Sequence, residues 1–229
     1  MVFFKSGMFG QSHPRRNEAR SAEMKRGLYH RARPKAIARA SQSADKHDAP
    51  MSIDLSLLPI LETARLRLTP LVAEDAGLIF PLMRDAEVMA FWDMPEMDDP
   101  DLINRIVEGQ VEEMVAGRAI YWAMRDLASG RFIGTCDLSE IDRRHHRAEV
   151  GFMLGRDAWG QGYALEAMQA VLAYAATTGL RRLLARTHLG NRRSDALLEK
   201  LGFAEEGMLR GHVLRDGERR DCRLFGLLL

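Results

Sequence analysis

The sequence predicts an α/β (α+β) fold: a single domain over residues 58–229, with a mixed, mostly antiparallel sheet of six or seven strands and helices on both faces. Three observations lead there. Segments alternating apolar and polar residues follow one another across short turns, as in successive hairpins. A long stretch with helical periodicity, residues 164–175, sits between two such segments. A glycine-rich junction, Gly155 to Gly162, joins the strand-like segment before it directly to that helix.

The chain has 229 residues, 46% hydrophobic and 28% charged, enough for one ordinary domain. Its net charge of +1 is an average over two unlike parts. Residues 1–50 hold 11 Lys/Arg and 4 Asp/Glu, whereas residues 51–229 hold 22 and 28. The basic stretch is poor in large aliphatic residues and has no sustained apolar stripe to offset its ordering entropy, which predicts a disordered extension. Met51 lies just before the first strand and is an alternative start. An RNA-touching arm and an Arg-rich targeting peptide are competing readings of the stretch. A secretory signal is not expected, because Met1 to Phe4 is too short for an apolar core. No apolar run approaches the ~20 residues of a membrane-spanning helix. Cys136 and Cys222 are far apart and form no CxxC, which disfavours a disulfide scaffold and favours a reducing, cytoplasmic setting.

From the amino-terminal side, Ala64 to Thr69 alternates Arg65 and Arg67 with Leu66 and Leu68, as a half-buried strand does, and Pro70 ends it. A short helix is expected over Glu74 to Met83. Asp99 and Pro100 form an N-cap and first helical position, opening a helix to about Ala116 whose Ile103, Ile106, Val107 and Met114 form the buried stripe. Ala119 to Arg125 and Arg131 to Glu140 read as a hairpin turning at Ala128-Ser129-Gly130. Arg147 to Leu154 follows as a third antiparallel strand after the polar bend at 142–146. Ala164, Ala167, Met168, Val171, Leu172 and Ala175 then mark one face of a helix that stops by Gly179. A strand over Arg182 to Thr187, a helix from Arg192 to Leu201, and two strands around the Asp216-Gly217 turn complete the domain.

The junction from Glu149 to Ala164 carries the functional signal. Where a strand runs straight into a helix, the first helical N–H groups and the positive end of the macrodipole converge, and glycines let an anion approach the backbone. The competing reading is that Gly160 and Gly162 only make a tight turn. Gly155 and Gly160 have P-loop spacing, but Gln161-Gly162 stands where Lys and Ser/Thr are required. Gly160-Gln161-Gly162 begins a dinucleotide fingerprint, but Leu165 occupies its third glycine position.

A third pattern fits better. Asp157-Ala158-Trp159-Gly160-Gln161-Gly162 resembles the (Gln/Arg)-x-x-Gly-x-(Gly/Ala) motif of the GNAT superfamily of acetyl-CoA-dependent N-acyltransferases, with Arg156 one place early. Residues 61–68, 132–135 and 148–152 are similar to that superfamily's first, third and fourth strands in the branch that includes the ribosomal-protein N-terminal acetyltransferases. Asn191-Arg192-Arg193-Ser194 and Leu198-Glu199-Lys200-Leu201-Gly202-Phe203 match that branch further downstream. The resemblance spans residues 61 to about 229.

It implies acetyl-CoA as cosubstrate, no metal, and a primary-amine acceptor: a protein N-terminus or a small amine such as an amino acid, polyamine or aminoglycoside. Amides of Trp159, Gly160, Gln161, Gly162, Tyr163 and Ala164 would hold the pyrophosphate. Backbone groups of Phe152, Met153 and Leu154 would line the pantetheine, and Asn191 would contact the cofactor or simply cap its helix. An α-amine of pKa about 8 is about one-tenth neutral at pH 7, whereas a lysine near 10.4 is neutral in about one molecule in 2,500, so the need for a base depends on the acceptor. Glu149 is the first candidate base, against a strand carboxylate merely paired with Arg147 or Arg131; Asp137 is the second. Ser194 is the candidate proton donor to the leaving thiolate, against a structural serine. The acids and aromatics of Phe91 to Asp99 either line the acceptor cleft or favour the next helix's start. His145-His146 reads as an exposed bend and Cys136 as a buried strand residue. Monomer and homodimer both stay open. The alternative function is a catalytically degenerate acyl-CoA sensor with an RNA-contacting arm.

Overall fold

The computed structural model describes residues 58–229. The expected basic extension, residues 1–50, and the alternative start at Met51 lie outside them. In chain order the elements are strands β1 (Leu61–Glu62) and β2 (Leu66–Pro70), helices α1 (Ala76–Met83), α2 (Ala86–Met89) and α3 (Pro100–Val115), and strands β3 (Ile120–Asp126), β4 (Phe132–Asp142) and β5 (Arg147–Leu154). Helix α4 (Tyr163–Thr177), strand β6 (Arg182–His188), helix α5 (Arg192–Lys200) and strands β7 (Ala204–Arg215) and β8 (Glu218–Leu228) follow.

One sheet of eight strands, in the order β1-β2-β3-β4-β5-β6-β8-β7, carries the fold. Six or seven were expected; the additional strand is β1, two residues long and too short to show alternation. Helix α2, four residues, is missed for the same reason, although Asp85 caps it by accepting from the Glu87 and Val88 amides. Where the local signal is strong, sequence and structure agree. Asp99 accepts from the Asp101 N–H with Pro100 at the first helical position. Asp216 and Gly217, both at positive φ (55° and 80°), turn β7 into β8.

Helices cover both faces, giving two cores. Leu66, Leu68, Trp122, Cys136, Leu138, Val150 and Leu183 pack against α4 and α5. Ala123 and Met153 pack with α1, α2 and α3 on the other face. Side chains alternate along a strand, so Asp137, Glu149 and Gly151 lie on the α1–α3 face. A bulge in β4 disturbs the alternation: Met124 pairs with Gly134 and Arg125 with Phe132, skipping Ile133, which turns Ile133 into the same core as Cys136. Gly134 is required there, because a Cβ would lie 1.9 Å from the Met153 carbonyl oxygen.

All neighbouring strands are antiparallel except β5 and β6. These run parallel and pair at Arg147–Arg182, Ala148–Leu183 and Glu149–Leu184, where pairing ends. Beyond that point β5 stays paired with β4 as far as Gly134–Leu154, and β6 with β8 as far as His188–Cys222. The sheet is thus open at its centre between Val150–Leu154 and Ala185–His188. Among the described residues no helix is long and apolar enough to cross a membrane.

Candidate active site

The opening between β5 and β6 leads at one end to the glycine junction. A single 3-10 turn, Arg156–Ala158, is followed by extended Trp159, and Gly160 and Gly162 take φ of 73° and 81°. Gly162 is the left-handed N-cap of α4, a conformation glycine adopts without strain. Sequence reasoning expects a cradle of amides from Trp159 to Ala164. The Trp159 N–H instead donates to the Arg156 carbonyl at 3.1 Å, while the N–H groups of Gly160, Gln161, Gly162, Tyr163 and Ala164 donate to no described residue. A Cβ at Gly160 would meet nothing within 4 Å, so the approach to these amides is clear.

Side chains fix this loop from outside. The Trp159 indole donates to the Leu154 carbonyl at 2.9 Å, tying the loop to the end of β5, and the Arg193 guanidinium lies 5.0 Å over its ring. Arg65, just before β2, donates to the Gln161 carbonyl at 3.0 Å and to Glu166 at 2.7 Å, and stacks 4.5 Å from the Tyr163 ring centre. Thr63 donates to the same carboxylate at 2.6 Å. Burial alone would raise the Glu166 carboxyl, but the Thr63 and Arg65 hydrogen bonds outweigh it and hold the group below its ordinary range. Arg156, one place early in the motif, turns away and binds Asp85 and Glu87, both at 2.7 Å.

The other side of the opening is built from ionisable side chains. Glu149 is 5% exposed and pairs with neither Arg147 nor Arg131. Its partner is Arg186 on β6, bound through Nε at 2.8 Å and Nη2 at 2.7 Å. Burial raises the Glu149 carboxyl, and the guanidinium opposes that rise. Arg186 also meets His212 Nε2 at 2.6 Å, and burial together with this cation lowers the His212 imidazole. His188, at the end of β6, is 2.8 Å from Asp93 in the loop before α3. Arg215, 7% exposed, donates to the carbonyls of Met89, Ala90 and Trp92 at 2.6, 3.2 and 3.0 Å and so fixes the start of that loop. A cavity of about 440 Å³ opens beside His188, lined by Ala90, Phe91, Leu189, Arg219, Arg220 and Asp221.

The remaining expected residues lie near the end of β6. Asn191 accepts from the Ser194 N–H at 3.3 Å and caps α5. Ser194 is buried in the first turn of α5. Asp137 lies on the α1–α3 face one strand from the opening. Both cysteines are buried, and burial pushes the Cys222 thiol up to about 12 and Cys136 well above its ordinary value, so neither is a ready nucleophile. Sequence reasoning misses Arg65, Arg186, His188 and Arg215. Their partners lie dozens to more than a hundred residues away, and an arginine or histidine in a strand has no local signature.

The geometry agrees with comparison to known proteins. Residues 65–204 match the family model described as acetyltransferase (GNAT) domain. The chain is 32% identical over 169 residues to the uncharacterised N-acetyltransferase p20 of Bacillus licheniformis, covering 73% of this chain and 95% of the relative. It is 33% identical over 113 residues to the [ribosomal protein uS5]-alanine N-acetyltransferase of Escherichia coli, covering 48% of this chain and 58% of that enzyme. The crystal structure of spermidine N-acetyltransferase from Vibrio cholerae, in complex with CoA and spermine, superposes with a TM-score of 0.64 at 23% identity, over 71% of this chain and 95% of that one. On the strength of the family model and of the Bacillus licheniformis relative, the chain belongs to the GNAT acetyltransferase family.

Proposed function

We propose that this protein transfers the acetyl group of acetyl-CoA directly to the α-amine of a protein N-terminus, in a ternary complex and in the cytoplasm. The single observation that carries this reading is the parting of β5 and β6 after Glu149–Leu184, next to the free amides that open α4. A pantetheine arm laid along Phe152, Met153 and Leu154 would take the place of a missing strand in the gap between β5 and β6. The pyrophosphate then meets the N–H groups of Gly160 to Ala164 and the positive end of the α4 dipole. Trp159 holds the loop in place, and Asn191 shapes the opposite wall.

Glu149 acts as base, through a water on the α1–α3 face; burial raises its carboxyl, and the Arg186 guanidinium opposes that rise by favouring the ionised form. The amine nitrogen attacks the thioester carbonyl, the C–S bond breaks, and the Ser194 hydroxyl donates a proton to the departing thiolate while taking one from the acetylated nitrogen.

The acceptor follows from charge. Asp93, Glu140 and Glu149 outnumber Arg186 around the opening and attract an ammonium. The adjoining cavity carries Arg219 and Arg220 against Asp221, which suits peptide carbonyls and carboxylates and repels the second ammonium of a polyamine. Acetyl-CoA-dependent thiol release, measured with N-terminal peptides, the same peptides with blocked α-amines, and spermidine, tests the reading. Turnover is expected with free α-amines alone. Faster turnover of spermidine would discard the peptide acceptor, and donor binding without thiol release for any amine would leave a sensor.

A further inference from the structure

Among the described residues, Asp137 Oδ2 is the buried side-chain oxygen with no hydrogen-bond partner. Asp137 is 1% exposed on β4, paired by register with Tyr121 of β3 and Gly151 of β5. An apolar side chain of similar size would fill the space without the desolvation penalty of a lone carboxylate, so its presence calls for a role. Its position suggests one. Glu149 stands two residues before Gly151 on the same face, opposite Ser139, and Gly151 is the first residue on that face after β6 has parted from β5. Gly151 has no side chain, so β5 places nothing between Asp137 and the open edge.

The two carboxylates sit in opposite environments. Glu149 is gripped by Arg186, which favours its ionised form. Among the described residues no cation pairs with Asp137: burial lifts its carboxyl to about 7, with the Ser139 hydrogen bond opposing and the Glu149 charge adding to the rise. Tyr121 on β3 is pushed upward by burial and then by Asp137, Glu113 of α3 and Glu140 of β4. A pair of carboxylates with separated proton affinities is the usual basis of acid–base division of labour.

Building on the proposed N-acetyl transfer, we propose that Asp137 is the terminal acceptor of the proton lost by the incoming ammonium, passed on by Glu149 and water across Gly151. An N–H bond of the ammonium breaks and an O–H bond forms on Asp137 Oδ2. No electrons change hands, and the proton returns to solvent once product leaves. Glu149, gripped by Arg186, orients and relays, while Asp137 retains the proton long enough for attack.

The test uses the full chain and Asp137→Asn, a near-isosteric change that keeps the fold's volume. Turnover should fall on the order of 100-fold with an acceptor amine of high pKa, the loss should shrink as the acceptor's pKa is lowered, and the limb of the pH–rate profile near neutrality should vanish. Acetyl-CoA affinity should stay unchanged by calorimetry. An equal loss for every amine, or an unaltered pH–rate limb, overturns the proposal while leaving N-acetyl transfer standing. Infrared spectra of the unaltered protein, labelled with 13C-aspartate, give a second reading that needs no variant. A protonated carboxylic-acid band that disappears as pH rises through about 7 supports Asp137, and its absence at pH 6 overturns the proposal. Failure of wild-type protein to acetylate any amine would instead strike the reaction itself.

Discussion

The two sides of the β5–β6 opening are made of different material. Toward α4 the functional groups are main-chain N–H donors on glycine-rich backbone, and side chains such as Arg65 and Trp159 act only as braces. Toward β6, β7 and the loop before α3 they are ionisable side chains, held in pairs that join residues far apart in sequence: Glu149 with Arg186, Asp93 with His188, Arg215 with the carbonyls of Met89 and Trp92. A site made of backbone tolerates side-chain changes but not changes in backbone conformation. A site made of paired charges has the reverse sensitivity.

The severest break in that contrast is expected at Gly134. Its Cβ would collide with the β5 main chain at Met153, which no rotamer change relieves, so Gly134→Val should cost about 3 kcal/mol or more and abolish donor binding. Urea unfolding and calorimetry with CoA read both effects. A folded variant with full affinity would show that β5 yields more easily than a sheet strand should. Next comes Arg186→Met, which leaves Glu149 buried without its cation and should cost about 3 kcal/mol near pH 8. The freed carboxyl rises further above its unfolded value, so below its folded pKa it is protonated and the penalty is relieved. The loss should therefore be smaller at pH 5 than at pH 8, and a pH-independent loss would contradict the pairing.

Arg215→Ala leaves the carbonyls of Met89, Ala90 and Trp92 without their donor. About 2 kcal/mol of stability should go, and the acceptor KM should rise about tenfold while CoA affinity holds. A parallel loss of CoA affinity would mean that the two sides are not separate. The mildest pair sharpens the donor side. Gly162→Ala forces a side chain into φ 81° and should weaken CoA binding several-fold, for about 1 kcal/mol of strain. Gln161→Ala, at the neighbouring exposed position, should change affinity by less than about 0.5 kcal/mol.

The same division governs what could be read in advance. The boundaries of β5, the Asp99-capped α3 and the Asp216-Gly217 hairpin follow from local chemistry, and the structure has them where the sequence puts them. Helix α4 starts at Tyr163, just after the two glycines. What failed was short or remote. β1 is too short to display a period, and the amide cradle begins at Gly160 because Trp159 closes a 3-10 turn. The motif's arginine, read as displaced by one, proves to be a brace to Asp85 and Glu87. The partner of Glu149 came from β6, not from the arginines nearest it in sequence.

By itself the sequence determined most of the elements, their order and the glycine junction, because hydrophobic period, caps and glycines act over a few residues. Tertiary structure alone decided where β5 and β6 part, which cation holds Glu149, and that Asp137 is buried with an unpartnered oxygen. Those outcomes depend on strand register and on electrostatic contacts between segments distant along the chain, and no local pattern encodes either.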